Sequence, residues 1–216
     1  ISRSLERFYR GTNSATENMN NLRKDLYIIS QLISNNEKVL DVGCGDGKLL
    51  DYLSKDKGVE CRGIELSQAG VNKCVKKGLS VIQGDANYDL NDYPNKSFST
   101  VILSQTIQAM IYPDKVIDNL IRIARRAIIS FPNFGYWKVR KQLLLSGLMP
   151  KNDVLPYDWY NTPNIHLCSF QDFVNYCYKK KISINSYICL NQEGKEIKKI
   201  LSNIRSYQVI FCVSKK

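Results

Sequence analysis

The sequence has no long apolar run and no Cys-X-X-Cys motif, and it contains a single histidine. No stretch of its 216 residues approaches 18 consecutive apolar residues, which argues against a membrane-spanning helix. The seven cysteines are widely spaced and none forms a Cys-X-X-Cys pair, so we predict free thiols in a reducing, cytoplasmic compartment and no zinc site. The N-terminal segment ISRSLERFYRG also has no apolar stretch of the kind that secretory signals carry.

Acidic residues are scarce relative to basic ones. The chain has 31 Lys and Arg against 20 Asp and Glu, which gives a formal net charge of +11. One interpretation of this charge is a nucleic acid partner, which would be bound with an affinity that falls steeply as the salt concentration rises. Arginine, which suits bidentate contacts with phosphates and bases, is the minority among the basic residues, and the lysines are scattered. We therefore expect no nucleic acid partner.

The length corresponds to one domain. Residues 1–18 are polar and form a predicted N-terminal arm, and residues 19–216 form the domain itself. Between Met19 and Ile33 the apolar residues recur at helical spacing, which predicts an amphipathic helix.

Beyond that helix, short β-rich runs alternate with helical stretches. The predicted strands are Lys38–Val42, Glu60–Ile64, Leu79–Ile82, Ser99–Ser104 and Ala127–Phe131. The predicted helices between them are Gly47–Ser54, Gln68–Lys77 and Lys115–Ala124. This alternation predicts βαβ units and an α/β fold with a parallel sheet covered on both faces. A helix at Ser169–Lys179 then precedes two strands, Ile182–Leu190 and Ser206–Val213, which are close enough to pair antiparallel.

The most specific local motif is the segment VLDVGCGDGKLL, in which a strand leads through three glycines into a helix. Glycines at Gly43, Gly45 and Gly47 let the backbone adopt positive φ and let a ligand approach it closely, while the helix start offers free N–H donors. A dinucleotide-binding loop would read GxGxxG and would need its third glycine at Lys48. The observed GxGxG, with Asp41 two residues before it, therefore disfavours a dinucleotide site.

Two more acids follow the next two predicted strands. Glu65 comes directly after the second strand and can accept both hydroxyls of a ribose. Asp85 follows the third strand and can accept from an adenine amino group. Ligands of open α/β sheets bind at the carboxyl ends of the strands, so we expect these acids and Asp41 to line one crevice.

This arrangement resembles the class I S-adenosylmethionine-dependent methyltransferases over residues 38 to about 131. The resemblance implies a Rossmann-like, seven-stranded, mostly parallel sheet with an antiparallel last strand and helices on both faces. It also implies S-adenosylmethionine or S-adenosylhomocysteine as the ligand. By this resemblance, the residues that line the methionine part are Asp41, Gly43, Cys44 and Gly45; those at the ribose and adenine are Glu65, Leu66, Asp85 and Ala86; those at the sulfonium and amino-acid end are Ser104 and Gln105.

Methylation of a nucleobase has little support in the sequence. The segment after the fourth strand, LSQTIQAM, contains no proline, whereas base amino-methyltransferases carry an Asp/Asn-Pro-Pro-aromatic motif there. The chain also has no Pro-Cys nucleophile, because Cys44 is preceded by Gly43. An RNA-binding methyltransferase therefore rests on net charge alone.

Three segments together are similar to the methionine biosynthesis protein MetW family. They are LSQTIQAM, SFPNFGYWKVRKQLLL and LPYDWYNTPNIHLC, and the similarity runs from about Leu22 to Leu190. The resemblance implies a methyltransferase-like accessory protein that supports homoserine O-acyltransferase in methionine biosynthesis. It supplies no methyl acceptor, so enzymatic activity stays open. The alternative is an active methyltransferase that acts on a small molecule.

Residues 132–168 are predicted to form a loop-rich cap. Its histidine, His166, is a weak candidate for a general base, and a packed structural or partner-contact role is the competing interpretation. The neighbouring aromatic residues are Phe131, Phe134, Tyr136 and Trp137. With Arg140 nearby they suit a protein interface, while a lid over the ligand and plain core remain alternatives.

Overall fold

A seven-stranded sheet forms the centre of the computed structural model, which describes residues 22–152 and 155–216. The strands are β1 (Lys38–Val42), β2 (Glu60–Glu65), β3 (Val81–Gln83), β4 (Phe98–Ser104), β5 (Ala124–Pro132), β6 (Ile182–Leu190) and β7 (Gln208–Lys215). Their order is β3-β2-β1-β4-β5-β7-β6. Strand β7 runs antiparallel to β5 and β6, and the other neighbouring pairs are parallel. The predicted α/β class and the antiparallel last strand are confirmed.

The helices connect the strands and cover the sheet. Those of the described residues are α1 (Lys24–Gln31), α2 (Lys48–Lys57), α3 (Gln68–Lys76), α4 (Pro113–Ile123), α5 (Trp137–Ser146), α6 (Phe170–Lys179) and α7 (Ser202–Arg205). Within this part of the chain, no helix is long and apolar enough to cross a membrane.

Alternate residues of the central strands supply two separate cores. In β1, Val39 packs with α1 and α2 on one face, whereas Leu40 packs with α4 on the other. In β4, Ile102 belongs to the first face and its neighbour Leu103 to the second. Because side chains of a strand alternate between its faces, apolar residues at successive positions are what a sheet buried on both sides requires.

Several element boundaries differ from the sequence-based expectation, among them the starts of α1 and β5. Helix α1 begins at Lys24, after Arg23 in an extended conformation, and the expected start at Met19 lies outside the described residues. Strand β5 begins at Ala124, three residues before the expected Ala127. Its early part tolerates Arg126 because the guanidinium donates to the Glu37 carboxylate at 2.8 Å. The predicted arm, residues 1–18, also lies outside the described residues.

The segment expected to be a loop-rich cap contains a helix, α5. Its sequence is rich in Lys, Arg, Gln and Leu, which are strong helix formers. It ends at Ser146, and its C-cap Gly147 adopts the left-handed conformation with φ of 67°. Only Val139 of this helix is buried. The cap is therefore partly helical, with a helix that presents most of its surface outward.

Candidate functional site

Backbone and side-chain contacts join the carboxyl ends of four neighbouring strands. The Gly45 amide, in the loop after β1, donates to Glu65 Oε2 at 2.8 Å. The Gly84 amide, after β3, donates to the Glu65 carbonyl at 3.0 Å. On the other side, a Cβ on Gly43 would lie 2.9 Å from the Thr106 methyl, just beyond β4. The residues predicted at these strand ends thus lie along one edge of the sheet.

The loop between β1 and α2 depends on glycine at its turn into the helix. Gly47 is the N-cap of α2 and has φ of 72°, a conformation that disfavours a side chain. A Cβ there would also lie 2.6 Å from Leu79 Cδ1 and 2.7 Å from Cys74 Sγ. Gly45, by contrast, has nothing within 4 Å of the corresponding position. The loop therefore packs against Leu79 and Cys74 at Gly47 and is open at Gly45. The open space at Gly45 would let a ligand approach the backbone closely.

Asp41 is a buried carboxyl at the end of β1. Its exposed fraction is 4%. Its backbone pairs with β2 and β4, while its carboxyl group accepts no hydrogen bond from another of the described residues. Burial raises the pKa of Asp41 to about 7, while the Arg23 guanidinium lowers it and the Glu65 carboxylate raises it. A carboxylate that is buried without a hydrogen-bond donor is costly, and a ligand ammonium group would supply the missing partner.

Glu65 holds the loop to the start of α3. Its Oε2 accepts from the Gly45 amide at 2.8 Å and its Oε1 accepts from the Ser67 amide at 2.9 Å. Ser67 in turn is the N-cap of α3 and accepts from the Gly70 amide. A carboxylate oxygen can accept more than one hydrogen bond, so both oxygens retain capacity for ligand hydroxyls.

The residues predicted at the adenine differ in exposure. Leu66 is 65% exposed, whereas Ala86 is buried. Asp85 Oδ1 accepts from the backbone and side-chain nitrogens of Asn87 at 2.9 and 2.8 Å. Asn87 Oδ1 accepts in turn from the Ile111 amide at 2.9 Å. Asp85 therefore fixes the loop after β3 against the segment that precedes α4.

Cys44 contributes its backbone to the loop and its side chain to the core. A Cβ on Gly63 would lie 2.7 Å from Cys44 Sγ, and the thiol packs with Cys74 and Leu50. Burial raises the pKa of the Cys44 thiol well above its usual range. Only the main chain of Cys44 is therefore available to a ligand.

Ser104 and Gln105 belong to a polar network that extends to helix α1. The Ser104 hydroxyl lies 3.1 Å from the Ser130 hydroxyl and accepts from Arg23 at 3.2 Å. Gln105 has φ of 51° and its side-chain amide donates to the Asp25 carboxylate at 3.0 Å. Asp25 is only 3% exposed. The sequence analysis did not identify Arg23 and Asp25, although an acid three residues after Leu22, on the apolar face of the helix, was the available signal.

His166 anchors the cap to the segment after β4. Its backbone amide donates to the Gln108 carbonyl at 2.9 Å, and its ring Nε2 lies 3.4 Å from the Ile111 carbonyl. Within the described part of the chain, its ring makes no hydrogen bond to Ser104 or Gln105. The contacts favour the structural interpretation of this histidine, while its candidacy as a base stays a prediction.

The cap carries a concentrated apolar surface, here named the cap surface. It consists of Leu143, Leu144, Leu145, Leu148, Met149, Trp159 and Tyr160, whose exposed fractions range from 43% to 84%. The aromatic residues at 131–137 differ in exposure. Phe131 and Tyr136 are buried in the core, whereas Trp137 is 44% exposed and is accessible to a partner. Leu148, Met149 and Trp159 line one cavity, and a concentration of exposed apolar side chains is typical of a protein interface.

Structural relatives share the fold across the whole chain. A SAM-dependent methyltransferase of Thermotoga maritima aligns with a TM-score of 0.62 and 14% identity over 100% of this chain and 96% of that one. A TehB-like SAM-dependent methyltransferase of Corynebacterium glutamicum aligns with a TM-score of 0.61 and 15% identity over 100% of both chains. At these identities the likeness establishes the class I methyltransferase fold and nothing further.

Sequence relatives identify the family. The bifunctional methionine biosynthesis protein MetXA/MetW of Rhodopirellula baltica is 35% identical over 153 residues, 66% of this chain and 24% of that protein. Norajmaline N-methyltransferase of Rauvolfia serpentina is 31% identical over 96 residues, 41% of this chain and 32% of that protein. The chain thus spans about a quarter to a third of these relatives. The family model "Methionine biosynthesis protein MetW" matches residues 23–213, and the chain belongs to the MetW family.

Proposed function

We propose that this chain is a SAM-binding, methyltransferase-like accessory protein of methionine biosynthesis that supports a homoserine O-acyltransferase. The observation that carries the proposal is the combination of the residues gathered at the ends of β1 and β2, among them Asp41, Gly45 and Glu65, with the separate apolar cap surface. The first suits a small ligand and the second suits a protein partner. The compartment we propose is the cytosol, in keeping with seven free cysteines.

The chemistry of the crevice fits S-adenosylmethionine or S-adenosylhomocysteine. The buried Asp41 carboxyl suits the ammonium of the methionine part, and the open space at Gly45 suits a ligand against the backbone. Glu65 suits the ribose hydroxyls, and the adenine lies next to Leu66, Asp85 and Ala86 in this proposal. When bound, S-adenosylmethionine carries a methyl group on a sulfonium. The chain's own contribution is to bind and orient the ligand.

The cap surface suits an enzyme partner. Its exposed aromatic and aliphatic side chains are of the types that dominate binding energy at protein interfaces. The relative from Rhodopirellula baltica is a single bifunctional protein named MetXA/MetW, of which this chain covers 24%. A MetW-like unit joined to a second biosynthetic protein supports association with a separate acyltransferase here.

Co-expression with the homoserine O-acyltransferase of the same organism tests the proposal. We expect the two proteins to co-elute and the acyltransferase to turn over faster in the complex. Trp159 is 76% exposed, so Trp159→Ala removes a large interface side chain with little effect on folding. A loss of about 2 kcal/mol at an interface hot spot corresponds to a roughly 30-fold weaker complex.

Tyr178→Ala is the matched control, because Tyr178 is an 88% exposed aromatic residue on helix α6, outside the cap. It should leave the complex unchanged. Separate elution of the wild-type proteins at micromolar concentration, together with unchanged acyltransferase turnover, would contradict the accessory role. Equal weakening by both variants would remove the cap surface from the interface.

A second candidate function is methyl transfer to a small molecule. A cavity of about 330 Å³ lies beside Gln105 and Pro132, at the ends of β4 and β5, and could hold an acceptor. The similarity to norajmaline N-methyltransferase supports the same alternative. Incubation with methyl-labelled S-adenosylmethionine and a cell extract freed of protein tests it, and label that stays entirely in S-adenosylmethionine would rule it out for the metabolites supplied.

A further inference from the structure

A cavity of about 510 Å³ lies between helices α4 and α6, next to the segment that follows β4. Its apolar lining includes Ile107, Ile117 and Phe173, all of which are buried. Along one side, the Tyr176 hydroxyl donates to the Asp114 carbonyl at 3.3 Å and joins the two helices. Sites for small molecules have volumes of about 300–1,000 Å³ and mostly apolar linings. The cavity therefore has the size and the lining of a ligand site.

This cavity is separate from the proposed crevice and from the cap surface. None of the residues that line it is among those predicted to bind S-adenosylmethionine, and none belongs to the cap surface. Gln108 and His166, which hold the cap to the segment after β4, form part of its wall. A ligand in this cavity would therefore bind in addition to the nucleoside.

The charged side chains at this cavity are acidic, on a chain whose net charge is +11. Asp114 and Asp172 line it and are both exposed, whereas no Lys or Arg is among its lining residues. The Asp172 carboxylate is partly engaged, because it accepts from the Ser169 hydroxyl at 2.6 Å. Asp114 forms no ion pair with another of the described residues. The cavity thus offers a carboxylate that can receive a cation.

The neighbouring basic and titratable groups do not cancel this charge. Lys115 lies 4.5 Å from the centre of the Tyr112 ring, and Lys180 forms an ion pair with Asp118 at 3.2 Å. Burial raises the pKa of the Cys168 thiol to about 12 and that of the Tyr176 phenol well above its usual range, so both are uncharged at neutral pH.

We propose that the cavity between α4 and α6 binds a small hydrophobic amine in its protonated form. The apolar part of the amine lies against Ile107, Ile117 and Phe173, and its ammonium group lies beside Asp114. The Tyr176 ring adds to this preference, because the face of an aromatic ring attracts a cation. An anion of the same shape is repelled by both carboxylates, and a neutral molecule gains nothing from them.

Three probes that differ in one terminal group test the proposal. 2-Phenylethylamine, 2-phenylethanol and 3-phenylpropionate share a phenyl ring on a short chain that ends in an ammonium, a hydroxyl or a carboxylate. Titrations followed by NMR give their affinities for the full chain. An exposed charge pair contributes up to about 1 kcal/mol, so the amine should bind about fivefold more tightly than the alcohol, and the carboxylate should bind most weakly. Equal affinities for all three, or no binding of the amine at millimolar concentration, would overturn the inference.

Replacement of Asp114 tests the charge. Asp114→Asn should weaken the amine about fivefold and leave the alcohol unchanged. Asp56→Asn is the matched control, because Asp56 is an exposed acid on α2, which packs on the other face of the sheet. It should bind each probe as the wild type does. Equal weakening of the amine by both variants, or by neither, would refute the role of Asp114.

Replacement of Ile111 tests the location. Ile111 lines the cavity and is 48% exposed, so the larger side chain of Ile111→Trp should occupy part of the space and weaken the amine and the alcohol alike. Ile200→Trp is the control, because Ile200 is 60% exposed and does not line the cavity. Thermal unfolding verifies that both variants are folded. An unchanged affinity of a folded Ile111→Trp variant for the amine would place the amine elsewhere and overturn the inference.

Discussion

Replacement of Glu65 by alanine should weaken the binding of S-adenosylhomocysteine by at least tenfold. Each of its carboxylate oxygens accepts one backbone amide, from Gly45 and from Ser67. A carboxylate has about four lone-pair sites, so about two remain for the ribose hydroxyls. A hydrogen bond to a charged group contributes about 1.5–3 kcal/mol, so the loss of one acceptor corresponds to roughly 10- to 150-fold in Kd.

Isothermal titration calorimetry measures this loss, with thermal unfolding to verify that the variant is folded. Glu60→Ala is the control, because Glu60 lies at the other end of the same strand, is 59% exposed and makes only long ion pairs, at 3.5 and 3.7 Å. A surface substitution changes free energy by up to about 0.5 kcal/mol, so its Kd should stay within about twofold. An unchanged Kd for a folded Glu65→Ala variant would remove Glu65 from the site.

Two further predictions concern the loop and the buried acid beneath it. Gly47→Ala should lower the free energy of unfolding in urea by about 2–5 kcal/mol, because positive φ and the contact with Leu79 both oppose a side chain. Gly58→Ala, with φ of 61° and open space around it, should lose only about 1–2 kcal/mol, and equal losses would refute the packing argument. Below the pKa of Asp41, about 7, its carboxyl is largely protonated, so binding of the ligand ammonium should release a proton. Calorimetry in buffers of different ionisation enthalpy should detect this proton at about pH 6, and Asp41→Asn should abolish it.

The strands were the most predictable part of this chain. Strands β1 and β6 have the bounds that the sequence predicts, because their apolar and β-branched residues form compact runs. Helix α5 was not predicted, since it buries only Val139 and so has no periodic apolar face. A helical period of apolar residues in the sequence arises when one face of the helix is buried. A helix that buries a single residue therefore shows no such period.

The contacts that assemble the site could not be read from the sequence. Asp25 is joined to Gln105 and Gln208, which lie 80 and 183 residues away along the chain. Asn133 is 2% exposed, and its side chain joins the Phe170 amide to the Ser206 carbonyl, at separations of 37 and 73 residues. The strand-end motif is a local pattern and was therefore predictable, whereas its supporting polar network depends on the tertiary fold.

The proposed crevice and the cap lie on either side of the segment that follows β4. The Thr106 side chain faces Gly43, where an added Cβ would lie 2.9 Å from its methyl, and two residues later the Gln108 carbonyl accepts the His166 amide of the cap. A ligand that shifts Thr106 would therefore act on the segment to which the cap is hydrogen-bonded at His166. Coupling between two binding sites is reciprocal, so a partner bound to the cap would change ligand affinity by the same factor. S-adenosylmethionine is made from methionine, and this connection gives our proposed accessory role a physical route by which an end product could act on an early enzyme of its own synthesis.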